Sequence, residues 1–304
     1  MEPDSAAAPP AWQIWLALGI VYVLWGSTWL GIRVVVDTMP PLLSAATRFL
    51  VAGGAIGGLL AARSGFARLA VTRGQLAGSF LIGSLLMGAN GLASLAEQEV
   101  PSALTALLFA SVPLWVVVFR RLAGERPSAA TMLAIIVGFA GVAVLVRPGE
   151  QSAGASALAL GVLMLGTFAW AVGTFLSSRV ARPSDALAFA AWQMVLGGAL
   201  LAAAGLAAGE PADIRPDAFS AESLFALGYL VVFGSVVAFS AFAWLLQHAP
   251  VSKVATYAYV NPAVAIALGW LILGETITPL TIAASLLIIA SVAIVVRYET
   301  PSSA

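Results

Sequence analysis

Ten apolar stretches of about twenty residues, joined by short polar links, run the length of this chain. A lipid core about 30 Å thick demands roughly that much helix, because only a helix satisfies its own backbone hydrogen bonds where water is absent. The stretches fall at 12–36, 41–62, 74–96, 101–121, 128–146, 156–180, 185–207, 221–246, 250–273 and 277–296. With 61% apolar and 9% charged residues and a mean hydropathy of +1.00, 304 residues carry more apolar surface than a soluble core could hide. No stretch is left for a soluble domain. The sequence predicts an all-α integral membrane protein with ten transmembrane helices. The first stretch reads as a retained span, since residues 1–11 contain no Lys or Arg and no small-residue cleavage site follows.

The chain also contains itself twice. Gln98-Glu99-Val100-Pro101 and Gln247-His248-Ala249-Pro250 each open an apolar stretch with a second proline twelve positions on, Pro113 and Pro262. A Gly-Glu pair follows each, Gly124-Glu125 and Gly274-Glu275, and an arginine stands twenty-two residues beyond each glutamate, Arg147 and Arg297. The period is about 149 residues, which sets one repeat at 12–147 and the second at 156–297. Five spans per repeat is an odd number, so the second copy enters the membrane the other way up.

Lys and Arg near span ends are retained on the cytoplasmic side. With the N-terminus inside, the inner basic residues are Arg63, Arg68, Arg73, Arg120, Arg121, Arg126, Arg179, Arg182, Lys253 and Arg297. The outer ones are Arg33, Arg147 and Arg215, and Arg48 falls inside a span. This distribution places both termini in the cytoplasm. The expected architecture is an inverted five-plus-five repeat around a central cavity, the plan of a secondary transporter with its site between the halves. Net charge is zero, which gives no sign of nucleic acid as a partner, and the lack of cysteine excludes disulfides and thiolate metal sites.

At this point the sequence resembles the drug/metabolite transporter superfamily, and within it the ten-helix EamA-type exporters of the bacterial inner (plasma) membrane. The resemblance covers nearly the whole chain. It is carried by Trp25-Gly26-Ser27-Thr28, by Pro40-Pro41 with Arg48-Phe49, by Val112-Pro113-Leu114, and by Tyr257-Ala258-Tyr259-Val260-Asn261-Pro262 with Gly274-Glu275. It implies a ten-helix bundle around a central cavity, cytoplasmic termini, and export of amino acids or similar metabolites.

Several residues are candidates for the transport cycle. Arg48 lies about 10 Å into the membrane, seven residues after Pro41, and either faces a watery cavity where it meets a carboxylate or snorkels to the interface. Asn90, Ser94, Glu97 and Gln98 form one polar stripe on span 3; Glu97 reads as a gate or partner of Arg48, or else Glu97 and Glu99 simply end the helix in external water. Trp25 and Thr28 in span 1, and Trp170 and Thr174 in span 6, present aromatic bodies beside hydroxyls that suit an amphipathic solute, unless the rings anchor at the interface and the hydroxyls bond their own helices. Tyr257 and Asn261 share a face one turn before Pro262. Pro113 and Pro262 each remove a backbone hydrogen bond and read as hinges or static kinks.

The functional expectation is a membrane transporter exporting amino acids or similar small amphipathic metabolites by alternating access. Its partners are the solute and the bilayer, no cofactor or metal enters, and a monomer suffices because the duplication supplies both halves. No phosphate-binding Gly-rich loop ending in Lys-Ser/Thr occurs, which argues against direct ATP drive. No Asp or Glu falls at mid-membrane, which makes facilitated export the simplest mechanism. The alternatives are a channel or a lipid- or drug-moving protein and, further off, an intramembrane enzyme; the sole histidine, His248, stands at a predicted loop and not in a His-Glu-x-x-His helix.

Overall fold

The computed structural model describes residues 9–145 and 154–299, so Arg147 of the repeat motif lies outside the described residues. All described elements are helical. They are α1 (Ala11–Val35), α2 (Pro41–Ser64), α3 (Arg73–Ala96), α4 (Ser102–Phe109), α5 (Val112–Leu122), α6 (Ala129–Leu145), α7 (Ala157–Ser177), α8 (Ala186–Ala207), α9 (Ala221–Tyr229), α10 (Ala238–His248), α11 (Val251–Val254), α12 (Tyr257–Leu273) and α13 (Pro279–Glu299). Eight apolar helical runs are long enough to cross a membrane and two more, Ala129–Leu145 and Tyr257–Leu273, are shorter; together they account for the ten expected spans.

The ends form where the sequence supplies partners for orphan backbone groups. Thr72 and Gln75 make a capping box at α3; Ser156 caps α7, Asp185 caps α8 and Ser220 caps α9. Gly65, Gly209 and Gly274, all at positive φ, end α2, α8 and α12.

Three expected spans are not continuous α-helices. The fourth breaks at Ala110–Ser111 into α4 and α5, with Pro113 in the first turn of α5, where its missing N–H leaves no gap. The eighth passes through a π-helical segment, Leu230–Val237, between α9 and α10. The ninth opens with the short α11 and restarts at Tyr257, so its interruption lies before Pro262, which sits inside α12.

Packing partners recur when the halves are exchanged. α2 lies on α8, and α6 on α13; α3 packs on α7 as α1 packs on α9 and α10; α5 packs on α7 as α12 packs on α1. The α2–α8 pair runs antiparallel: Leu43 meets Gly205, Leu50 meets Gly198, and Gly53 sits against Ala191 and Met194. α6 and α13 are also antiparallel, with Gly138 against Ser291 and Gly141 against Ala284 and Ile288. Of the four glycines on α2, Gly53 and Gly57 make this seam, whereas Gly54 and Gly58 have open space around them.

Polar contacts between links sort the molecule into two faces. On one, Arg68 pairs with Asp185, Gln75 donates to the Arg182 carbonyl at 3.3 Å, and Arg179 pairs with Glu125 at 3.1 Å. On the other, Glu210 accepts from the N–H groups of Leu42 and Leu43 at 2.9 and 2.8 Å, Glu99 from Ser156 at 3.0 Å, and Glu275 from the start of α4. Hydrogen bonds from Ser156 hold the Glu99 carboxyl below its ordinary range.

Candidate functional site

A cavity of about 670 Å³ occupies the centre of the bundle. Its mouth carries Arg182, Ser184, Leu246 and Gln247, all exposed, at the face holding the Arg68–Asp185 pair. Its far end meets α4, every residue of which is buried. The cavity is therefore open at one face and sealed at the other.

Its walls are built from aromatic side chains that lock one another. Trp25 of α1 stands 5.1 Å from Phe239, 4.9 Å from Phe242 and 5.2 Å from Tyr257, ring centre to ring centre. Trp29 lies 4.5 Å from Phe109, which stands edge-on to Trp170 at 6.0 Å. Edge-on and tilted aromatic pairs of this kind contribute about 0.5–1.5 kcal/mol each beyond burial, so these rings form a stiff lining.

Arg48 is the one charged side chain on the inner wall among the described residues; Arg182 stands at the mouth. It is 5% exposed, donates from Nε to the Ser235 hydroxyl at 3.0 Å, and lies 4.8 Å from the Phe49 ring centre. Ser235 belongs to the π-helical segment, where widening of the turn brings a hydroxyl to α2. Arg48 makes no ion pair among the described residues, so neither the expected neighbouring carboxylate nor a bond to Glu97 is present. The remaining guanidinium N–H groups are available to the cavity and to the small recess it shares with Ser44, Asn90 and Ser94.

The sequence-predicted residues Trp25, Thr28, Arg48, Asn90, Trp170, Thr174, Tyr257 and Asn261 all stand around this cavity, with Pro113 and Pro262. The two threonine hydroxyls are committed to their own helices. Thr28 donates to the Trp25 carbonyl at 2.7 Å and Thr174 to the Trp170 carbonyl at 2.9 Å, leaving lone pairs for a solute. Asn90 likewise donates to Leu86 at 3.1 Å. With its amide nitrogen turned to the two carbonyls, Asn261 donates to Tyr257 at 3.2 Å and Tyr22 at 3.3 Å, tying α12 to α1.

Glu97 stands apart from the cavity. It is fully buried at the sealed end, so the alternative that it ends the helix in water holds for exposed Glu99 only. Neither of its carboxyl oxygens has a hydrogen bond of good geometry among the described residues; the Thr105 hydroxyl borders them and donates to the Pro101 carbonyl at 3.3 Å. Phe109, Gln193, Phe239 and Phe242 line the cavity without having been expected to, although Phe239 and Phe242 share a helical face three residues apart.

The EamA-like transporter family profile matches the chain twice, over residues 12–147 and 157–297. The inner membrane transporter YedA of Escherichia coli is 36% identical over 264 residues, covering 86% of this chain and 83% of YedA. The transporter YvbV of Bacillus subtilis is 28% identical over 287 residues, covering 92% of this chain and 90% of YvbV. A solved crystal structure shares the fold with a TM-score of 0.64 at 20% identity, covering 92% of this chain and 96% of that one. An all-helical bundle of ten spans, a profile matched by both halves, and relatives that are transporters lead to one assignment: the chain is a membrane transporter belonging to the EamA-like transporter family.

Proposed function

We propose that this protein exports amino acids or similar small amphipathic metabolites bearing a carboxylate, by alternating access and without ATP. The observation that carries the reading is the cavity: about 670 Å³, walled by aromatic rings, with the Arg48 guanidinium, in no ion pair among the described residues, on its inner wall. That size lies within the range of small-molecule sites. A buried cation with free N–H groups favours an anionic group, and the rings favour an apolar side chain next to it. No Asp or Glu lines the cavity among the described residues, which weighs against organic cations as cargo.

The profile matches at 12–147 and 157–297 support two halves at 12–147 and 156–297, and the antiparallel α2–α8 and α6–α13 pairs support an inverted relationship between them. The basic residues at the cavity mouth support a cytoplasmic mouth, cytoplasmic termini and an inward-open state. The relationship to YedA supports the bacterial inner membrane as its location. A single chain holds the whole cavity, which supports a functional monomer.

Counterflow in proteoliposomes tests this reading: vesicles preloaded with one amino acid should accumulate labelled amino acid transiently from outside. Steady non-saturating leak would identify a channel instead. Flux that required an imposed proton gradient would replace the facilitated mechanism by a coupled one.

A further inference from the structure

The sealed face carries a contact between the halves that has no equivalent at the open one among the described residues. Glu275, in the link between α12 and α13, accepts three hydrogen bonds from the start of α4: the Ser102 N–H at 2.7 Å, the Ser102 hydroxyl at 2.8 Å and the Ala103 N–H at 3.0 Å. Groups at a helix start have no partner within the helix and carry partial positive charge, so a carboxylate is the side chain best suited to hold them. The seat is tight, because a Cβ on Gly269 would fall 2.5 Å from the Glu275 carboxylate. At its other end α4 presents Phe109 to Trp29 and Trp170. Glu275 thus fastens the helix that closes the cavity.

The first half holds the matching glutamate, Glu125, 150 residues earlier, at the open face. There it accepts from Arg120 at 2.6 Å and from Arg179 at 3.1 Å, so its carboxylate is engaged by arginine side chains and not by a helix start. The difference between the two glutamates coincides with the difference between the two ends of the cavity.

We propose that the seat of Glu275 on Ser102 and Ala103 is the latch that keeps the sealed end shut, and that its release is an obligatory step in opening that end. The inference rests on the alternating-access reading. The bonds are individually replaceable by water, so the latch is strong while dry and reversible once the link lifts.

Accessibility of a single thiol tests it without knowledge of the solute. The chain has no cysteine, so Ala110→Cys, on the cavity wall, would be the only one. A membrane-impermeant maleimide is applied to spheroplasts and, separately, to inverted vesicles. With Glu275 intact, labelling comes chiefly from the mouth side. Glu275→Gln and Glu275→Asp should each shift the ratio of labelling rates toward the opposite face by roughly tenfold. Glu210→Gln removes a comparable carboxylate cap, on α2 at the same face, and should leave the ratio where it was. An unchanged ratio in both Glu275 variants overturns the latch, and so does an equal shift in Glu210→Gln, which would mean that any lost cap loosens this face. Equal labelling from both faces with Glu275 intact would show that the sealed end is not held shut at rest and would also overturn the latch, whereas failure of alternating access itself is read separately, from the absence of counterflow.

Discussion

Arg48 donates through Nε to the hydroxyl of Ser235, 3.0 Å away, so a cation of the first half is aimed by the π-helical turn of the second. Arg48→Ala should therefore lower counterflow of carboxylate-bearing solutes by roughly ten- to a hundredfold, the worth of a charge-assisted hydrogen bond. Arg48→Lys should recover little of it, because an ammonium cannot both keep Ser235 and offer a planar fork. Ser235→Ala should cost only a few-fold. Wild-type flux in Arg48→Ala would show that the guanidinium does not bind the cargo.

The rings make a different demand. Trp170→Ala should weaken competition by aromatic amino acids about tenfold while barely changing that by alanine, since stacking on an aromatic wall contributes roughly 0.5–1.5 kcal/mol and the small solute does not reach it. Trp170→Phe should fall between. Equal losses for both solutes would indicate wall stiffness and not contact with cargo.

Backbone proximity between α3 and α8 gives a stability prediction. A Cβ at Gly83 would lie 2.3 Å from the Gln193 carbonyl, and one at Gly197 would lie 2.5 Å from the Gly83 carbonyl. Gly83→Ala or Gly197→Ala must push the helices apart at a cost of about 1–3 kcal/mol. Gly88→Ala, with open space around it, should be neutral. Thermal unfolding in detergent compares the three.

Asp185 links stability to pH. Burial pushes its carboxyl upward, but hydrogen bonds from Ala188 and Arg68, among others, outweigh it and hold the group below its ordinary 3.8. A depressed folded value means the contribution is present above the unfolded value and is lost as pH falls through the folded one. Asp185→Ala should cost about 1 kcal/mol near neutrality, the worth of an N-cap. The gap between variant and wild type should close as the medium is acidified through the carboxylate range, which parallel melting curves would follow.

The spans were legible because length and apolarity suffice to recognise them: 129–145 and 279–299 were expected at 128–146 and 277–296. Residues around the cavity were legible where a polar or aromatic side chain stood mid-span, as Trp25, Arg48 and Asn261 do. Partners of those residues were not, because they are set by packing between distant segments. Nothing local marks Ser235 as the acceptor of Arg48, or Glu210 as the cap of α2. Glu97 does end α3, as Gln98 and Glu99 after it suggest, but its burial was not legible, because it depends on α4, whose Thr105 borders it.

The π-helical stretch at 230–237 sets the rotational phase of everything after it. Each residue of a helix turns the chain by about 100°, so loss of one residue from that stretch would swing Phe239 and Phe242 away from Trp25 without altering any of the three. The chamber's shape thus depends on a count as well as on identities. An insertion or deletion at Val232 or Phe233, whose side chains are half exposed on the outside of the bundle, would reshape the chamber while keeping every wall residue.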